Sequence, residues 1–422
     1  MNAGVLILCA GVIAQVAAQA PTPPATLTVE QAVAEALDKN LDLAAERARL
    51  PVADALRTSA ALRPNPVFSV STDHLDLVGP RFTESNGGGP AEISFRSDVA
   101  WEQGGKRRRR IAVADSDRLV TRQEVADQGR QLAFEVQSTF IDLLLAQRTL
   151  ALGRENLSAM QRVRDIARAR VSSGDLAEVE LMRTRVAVLQ LENEVRQQEL
   201  AIRMAQRRLA LLLGRPSDAP PIEAAGDFQY LDRVPPTDDL VRLAVAQRPD
   251  LLALAAERDR AEADILLQRS LGRADITLGT EYRRQQGVNG KSNSLGFFIS
   301  TPLQLFDRNQ GEVARARAAA VEAARRLEAR QATVAAEVEQ AWDQHQAARA
   351  LLLRIDQEML ADAREVRAIA EYSYERGEAT LVELLDAQRA FNDTMQSHLS
   401  ARAELARSLY LIDAVSGKGV TR

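Results

Sequence analysis

The 422-residue sequence has one cysteine, three histidines and only 4% aromatic residues. A single cysteine, Cys9, leaves no disulfide framework within the chain and no centre built from several thiolates. His74, His345 and His398 are scattered without ligand spacing, so each reads as a packing or surface residue, and neither a metal site nor a cofactor is expected. Net charge is also lacking. The chain has 54 basic and 58 acidic residues, a formal charge of −4, which is too balanced for a protein that tracks nucleic-acid phosphates. Beyond the first twenty residues there is no apolar run of the ~18 or more residues that a membrane helix needs. If the mature chain crosses a bilayer, it must do so as a closed β-barrel. No glycine-rich phosphate loop, metal triad or nucleophile motif stands out, so no enzyme is expected.

At the N-terminus, residues 3–18 (AGVLILCAGVIAQVAA) are apolar and end in small residues ahead of the proline-rich QAPTPPAT. This reads as a secretory signal peptide, residues 1–18, with cleavage after Ala18 or Ala20. Pro21 disfavours the second site. Leu8 before Cys9 is too large for a lipobox, so no lipid anchor is expected.

What the chain has in quantity is Ala, Leu, Glu, Arg and Gln over 106–213 and 311–416, the usage of long helices and coiled coils. The same succession occurs twice. Short helices are expected at 30–40 and 237–248, followed by second helices from Leu41 and Pro249, hairpin regions, and then two very long helical stretches. The long stretches meet at Gly174 and at Gly377, 203 residues apart, and the halves close at Gly214 and Gly417, again 203 apart. The expected organisation is a first repeat at 26–214 (strands about 67–102, long helices about 106–213), a linker at 215–236, and a second repeat at 237–417 (strands about 275–303, long helices about 312–416). A helix over 106–172 would be about 100 Å long at 1.5 Å per residue, so it must lie against other long helices along its course.

The helical wheel of 175–205 carries two apolar stripes. Val179, Met182, Val186 and Leu189 form one; Leu181, Val188, Leu191 and Val195 form another, roughly 155° away at 100° per residue. Such a helix has a neighbour on each side, as in a closed ring. The hairpin regions alternate with period two: Phe68 and Val70 against Ser69, Ser71 and Asp73; Ile93, Phe95, Val99 and Trp101 against Ser94, Arg96 and Asp98. In the second half Ile276, Leu278 and Tyr282 alternate with Thr277, Gly279, Glu281 and Arg283, and Leu295, Phe297 and Ile299 precede Pro302. Glycine- and asparagine-rich loops at 84–90 and 286–293 separate each pair. Four strands leave two open edges, which a bilayer does not tolerate. If these are membrane strands, three chains close them into twelve.

This layout resembles that of the TolC-like outer-membrane factors over essentially the whole mature chain. Gly104-Gly105-Lys106-Arg107 and Pro302-Leu303-Gln304-Leu305-Phe306-Asp307-Arg308-Asn309-Gln310-Gly311 resemble the CzcC-like heavy-metal efflux branch. The resemblance implies a mainly α fold with a small β part: a trimeric outer-membrane β-barrel with four strands per chain, continued by a long periplasmic α-helical barrel, with two structural repeats per chain. An equatorial collar would include 215–236, the short helices and the C-terminus. It also implies a location in the outer membrane, extending into the periplasm and contacting outer-membrane lipid. The partners would be a periplasmic adaptor and an inner-membrane resistance-nodulation-division transporter, with heavy-metal cations as cargo. Drug efflux or type I secretion is the alternative within the channel class. A periplasmic coiled-coil scaffold or adaptor without a pore is the alternative outside it.

Three sets of residues follow. Lys106 to Arg110 place five cations at a helix start, where the macrodipole disfavours them, so inner-leaflet phosphates or acidic neighbours should compensate. The two long turns are the expected adaptor-docking sites: Arg170, Ser172, Ser173 and Gly174 in one, Ser373, Arg376 and Gly377 in the other. The segment Val382 to Ala387 resembles the one that carries ring-forming aspartates at the periplasmic entrance of TolC-like channels. Glu383 and Asp386 share a helix face, Tyr374 matches a tyrosine of the family's gate contacts, and Glu180 and Arg183 are the first-repeat equivalents, able to pair with the ring. The basic residue expected two positions after Gly377 is Ala379 here. The plainer reading makes Glu383 and Asp386 solvated residues of a charge-rich helix.

Overall fold

A computed structural model describes residues 25–73, 75, 77, 91–228, 234–287 and 290–418. The expected signal peptide, Cys9, His74, the loop 84–90, residues 288–289 of the second loop and residues 229–233 of the linker lie outside the described residues.

The chain is mostly helical. The short helices are α1 (Val29–Lys39), α2 (Leu41–Arg47), α3 (Arg49–Ala61), α6 (Thr237–Gln247) and α7 (Pro249–Leu271). The long ones are α4 (Lys106–Ser172), α5 (Glu178–Leu212), α8 (Gln310–Arg354), α9 (Leu360–Arg376) and α10 (Leu381–Val415). The strands are β1 (Ala25–Leu27), β2 (Val67–Asp73), β3 (Ala91–Trp101), β4 (Ile222–Ala224), β5 (Ile276–Gly287) and β6 (Gly290–Ser300). Between α8 and α9 a single π-helical turn, Ile355–Met359, replaces the unbroken helix expected there. Such a turn takes in one extra residue without ending the helix, and no glycine or proline marks it. Among the described residues no helix is long and apolar enough to cross a membrane.

Two compact units are distinguished. The first gathers the described residues up to Lys39, Val136–Phe228 and Leu360–Ala403. In it β1 pairs in parallel with β4, Ala25 opposite Ile222 and Leu27 opposite Ala224. That pairing gives structure to part of the segment read from sequence as a linker. Gln206 donates to the Ile222 carbonyl at 2.9 Å, Arg148 to that of Gly226 at 3.0 Å, and Arg215 to the Glu35 carboxylate at 2.7 Å. One stripe of α5 is covered here: Leu181, Val188 and Val195 are buried. The other is open, with Val179, Met182, Val186 and Leu189 between 48% and 58% exposed.

The second unit gathers Asn40–Glu135, the described residues from 234 to Met359, and Glu404 onward. Its helical core packs Leu240 and Ala244 of α6 and Leu251 of α7 against Leu327, Val334, Val338 and Ala341 of α8, closed by Ile412 and Val415. Pro249 occupies the first helical position of α7, where its missing N–H costs nothing. The same unit holds an antiparallel sheet of order β2-β3-β5-β6, so the two hairpins meet through β3 and β5 while β2 and β6 are open edges. Val70, Phe95, Tyr282 and Leu295 lie opposite one another across all four strands. This puts the apolar residues on one face, with Phe68 and Phe95, and Phe95 and Tyr282, at 6.5 Å between ring centroids. The opposite face carries Arg96 paired with Asp98 at 2.9 Å and Arg283 paired with Glu281 at 2.8 Å.

Candidate functional site

The turns between the long helices are built by glycine. At Gly174 and Gly377 φ is +82° and +77°, a region that side chains with a Cβ rarely adopt. Each turn closes with the paired bonds of a Schellman motif. Asp175 N–H donates to the Arg170 carbonyl at 2.8 Å and Gly174 N–H to Val171 at 3.1 Å; Glu378 N–H donates to Ser373 at 2.9 Å and Gly377 N–H to Tyr374 at 3.0 Å. Ser172 and Ser173 turn their hydroxyls onto the Ala169 carbonyl, and the Ser173 hydroxyl also bonds the Asp175 carboxylate at 2.7 Å.

The two turns come together in the first unit. The Arg170 guanidinium donates to the Tyr374 carbonyl at 3.4 Å and lies 6.0 Å from the Tyr374 ring centroid. A Cβ built on Gly377 would stand 3.0 Å from Arg170 Nη2, so glycine serves both the turn and the approach of Arg170. Tyr374 is 2% exposed and packs with Leu381 and Leu384 against Val163, Ala370 and Leu385. Its hydroxyl finds no hydrogen-bond partner among the described residues, and burial raises its pKa. Arg376 stacks on the Tyr372 ring at 4.3 Å and stays exposed, as do Ser172 and Ser173, while Ser373 is half-buried.

Glu383 and Asp386 both stand exposed on α10. Glu383 also closes the start of its own helix. Its carboxylate accepts from Thr380 N–H at 2.7 Å and from the Thr380 hydroxyl at 3.0 Å, and that hydroxyl faces Glu383 N–H at 3.3 Å. This is a capping box, legible as Thr380-x-x-Glu383. The bond from the Thr380 backbone holds the Glu383 carboxyl below its usual pKa, so it remains ionised. In α5, Arg183 pairs with Glu180 of its own helix at 2.9 Å.

At the cationic start of α4, Lys106, Arg107 and Arg110 are compensated by local partners. Lys106, buried, pairs with Asp275 at 2.8 Å. Arg110 pairs with Glu102. Arg107 and Arg110 also donate to the carbonyls of Ala61, Ala60 and Leu62 at the end of α3. The negative end of one helix thus offsets cations at the positive end of another. Among the described residues no group of three or more His, Cys, Asp and Glu side chains is placed to hold a metal ion.

Comparison with known proteins places this geometry. The chain is 25% identical over 394 residues to the cobalt-zinc-cadmium resistance protein CzcC of Cupriavidus metallidurans, spanning 93% of this chain and 90% of the relative. It is 26% identical over 412 residues to the pyoverdine export outer membrane protein OpmQ of Pseudomonas putida, spanning 92% and 86%. Its fold superposes on the outer-membrane channel OprN with a TM-score of 0.76 at 20% identity, covering 93% and 90% of the two chains. The sequence model of outer membrane efflux proteins matches residues 32–215 and again 240–418. The chain therefore belongs to the outer membrane efflux protein family, channel proteins of the outer membrane that extend into the periplasm and are not enzymes.

Proposed function

We propose that three copies of this chain form the outer-membrane duct of a tripartite efflux pump, joined to a periplasmic adaptor and an inner-membrane resistance-nodulation-division transporter. The observation that carries this reading is the four-stranded sheet with one exposed apolar face and two open edges. In a bilayer unpaired strand edges cost several kcal/mol per polar group, so the edges must meet those of other copies. Three copies supply twelve strands. The uncovered stripe Val179, Met182, Val186 and Leu189 asks for the same neighbour, since a periplasmic helix with a second apolar stripe needs a second helix. A coiled-coil scaffold without a pore would leave the apolar sheet face unexplained.

The parts then take their roles. The repeats 26–214 and 237–417 each contribute two strands and two long helices, and 215–236 joins an equatorial collar. The turns at Gly174 and Gly377 receive the adaptor, and Glu383 and Asp386 ring the entrance as six carboxylates about the three-fold axis. Heavy-metal cations are the cargo favoured by the likeness to CzcC. The comparable likeness to OpmQ supports organic cargo as the second reading. A duct needs no tight metal site, because cargo must bind weakly enough to leave.

The test is gentle extraction from native outer membrane, followed by mass measurement and planar-bilayer recording. A heat-modifiable trimer that conducts supports the duct, and a non-conducting monomer sinks it. Deleting the gene and scoring cobalt, zinc and cadmium tolerance against siderophore export separates the two cargoes.

A further inference from the structure

At the end of the sheet nearest α4 and α8 the chain passes from strand to helix twice; the passage into α4 holds more cations than its acid neutralises, and the passage into α8 adds Arg308 beside Asp307. Glu102 and Asp275 are occupied by Arg110 and Lys106. Among the described residues the Arg308 side chain bonds only the Gln304 carbonyl, at 3.3 Å. Arg108, Arg109 and Arg273 have no acidic partner among the described residues. These arginines belong to one junction. A Cβ on Gly104 would stand 3.0 Å from Arg273 Cδ, and one on Gly272 would stand 2.5 Å from the Arg308 carbonyl.

Beside the cations is apolar surface. The exposed row Leu295, Phe297 and Ile299 on β6 continues past the strand into Leu303, Leu305 and Phe306, which are 79%, 66% and 90% exposed. Trp101, 63% exposed and opposite Ile276, ends the same apolar face. Contiguous apolar surface of this kind marks an interaction site. Rimmed by arginine, it fits a bilayer interface, where acyl chains take the apolar groups and phosphates take the guanidinium groups. A protein of the outer membrane meets that interface by location.

We propose that this junction is a phospholipid-binding collar: Leu303, Leu305 and Phe306 enter the acyl boundary, and Arg108, Arg273 and Arg308 bind the phosphate of an anionic phospholipid in the periplasmic leaflet. The proposal rests on the sheet being the membrane-crossing part of the duct. Anionic lipid is favoured over zwitterionic because Arg108, Arg109, Arg273 and Arg308 outnumber Asp307, the junction carboxylate that no cation pairs with among the described residues and that accepts the Asn309 N–H.

The sequence has two tryptophans, so the full-length Trp342→Phe protein reports on Trp101 alone. It would be reconstituted in phosphatidylcholine vesicles containing brominated phosphatidylglycerol or brominated phosphatidylcholine at equal mole fraction. Brominated phosphatidylglycerol should quench Trp101 more, with a preference on the order of fivefold per engaged arginine. Arg108→Gln/Arg273→Gln/Arg308→Gln should lose that preference, and the corresponding triple Lys variant should keep it. Equal quenching by both lipids in the parent protein, or a preference retained in the Gln variant, overturns the proposal. If neither lipid quenches Trp101, the sheet is not in the membrane and the duct reading falls with the collar. If Phe306→Ser dissociates the trimer and leaves the lipid preference intact, the loop belongs between copies and the collar is wrong.

Discussion

Arg248 Nη1 donates to the Glu337 carboxylate at 2.7 Å from a side chain only 1% exposed. The same guanidinium holds Asp250 through two bonds of 3.0 and 2.8 Å, and Arg330 joins Asp250 and Glu337 from the other side at 2.9 and 2.7 Å. Burial alone would raise the pKa of Asp250; the bonds from Arg248 and Arg330 outweigh it and hold the carboxyl below its usual range. Removing Arg248 leaves the half-buried Asp250 and Glu337 with Arg330 as their remaining cation. Arg248→Met should therefore cost about 1.5–3 kcal/mol, read as a lower thermal unfolding midpoint, and Lys should rescue little because it cannot bond both carboxylates in a plane. Asp250 has a depressed folded pKa, so its contribution is present above the unfolded value, about 3.9, and is lost as pH falls further. Asp250→Asn should unfold with a shallower acid dependence in that window.

His345 carries the opposite chemistry. It is 1% exposed and its Nδ1 meets the Ser408 hydroxyl at 3.0 Å. That hydroxyl donates to the Leu405 carbonyl at 2.7 Å, so Nδ1–H must be the donor to it. Burial, and then the nearby Arg349, lower the pKa of the ring. The unfolded chain accordingly binds a proton first. The stabilising contribution is complete above the unfolded value, about 6.5, and is lost as pH falls toward the folded one. His345→Asn should flatten the dependence of the unfolding midpoint on pH between about 6.5 and 5. An unchanged slope would show that His345 does not titrate with unfolding.

The long helices could be read from sequence because composition and two apolar stripes mark them, and the strands because side chains alternate with period two. The stripes also separated the covered Leu181, Val188 and Val195 from the uncovered Val179, Met182, Val186 and Leu189. What sequence could not reveal depends on distant partners. The three-residue β1 has no periodicity, and its pairing with β4 is made across almost 200 residues. Arg107 meets the end of α3, whose Ala61 is 46 positions away. The charge network joins Asp250 to Glu337, from different helices. At the candidate entrance the legible pattern was Thr380-x-x-Glu383, a capping signal, and its meaning was obscured because the same glutamate fits a ring of carboxylates.

The turns proposed to receive the adaptor yield a prediction that separates assembly from folding. Ser173 is exposed beside its capping glycine, and Arg376 lies on the Tyr372 ring, outside the Schellman bonds. Ser173→Trp and Arg376→Glu should leave both turns formed. We expect cross-linking to the adaptor to fall at least tenfold, with trimer yield and conductance unchanged. Undiminished cross-linking would exclude these turns as the contact.

The proposed entrance requires variants that separate cap from charge. Thr380→Ala removes the hydroxyl partner of Glu383 but leaves both carboxylates charged, so it should loosen the start of α10 and preserve cation selectivity. Glu383→Gln/Asp386→Asn keeps an amide oxygen able to accept from Thr380 N–H but removes the charge, so the helix start should hold while cation selectivity and block by multivalent cations decline. The Glu383 carboxyl titrates below its usual range because Thr380 N–H bonds its ionised form. Selectivity should therefore persist through mild acidification and weaken only below the ordinary glutamate value, about 4.3. Single-channel reversal potentials under a salt gradient, taken at several pH values for the parent and both variants, decide the matter. If the charge-neutral pair keeps the parent selectivity, Glu383 serves only as a cap and these carboxylates do not line the opening.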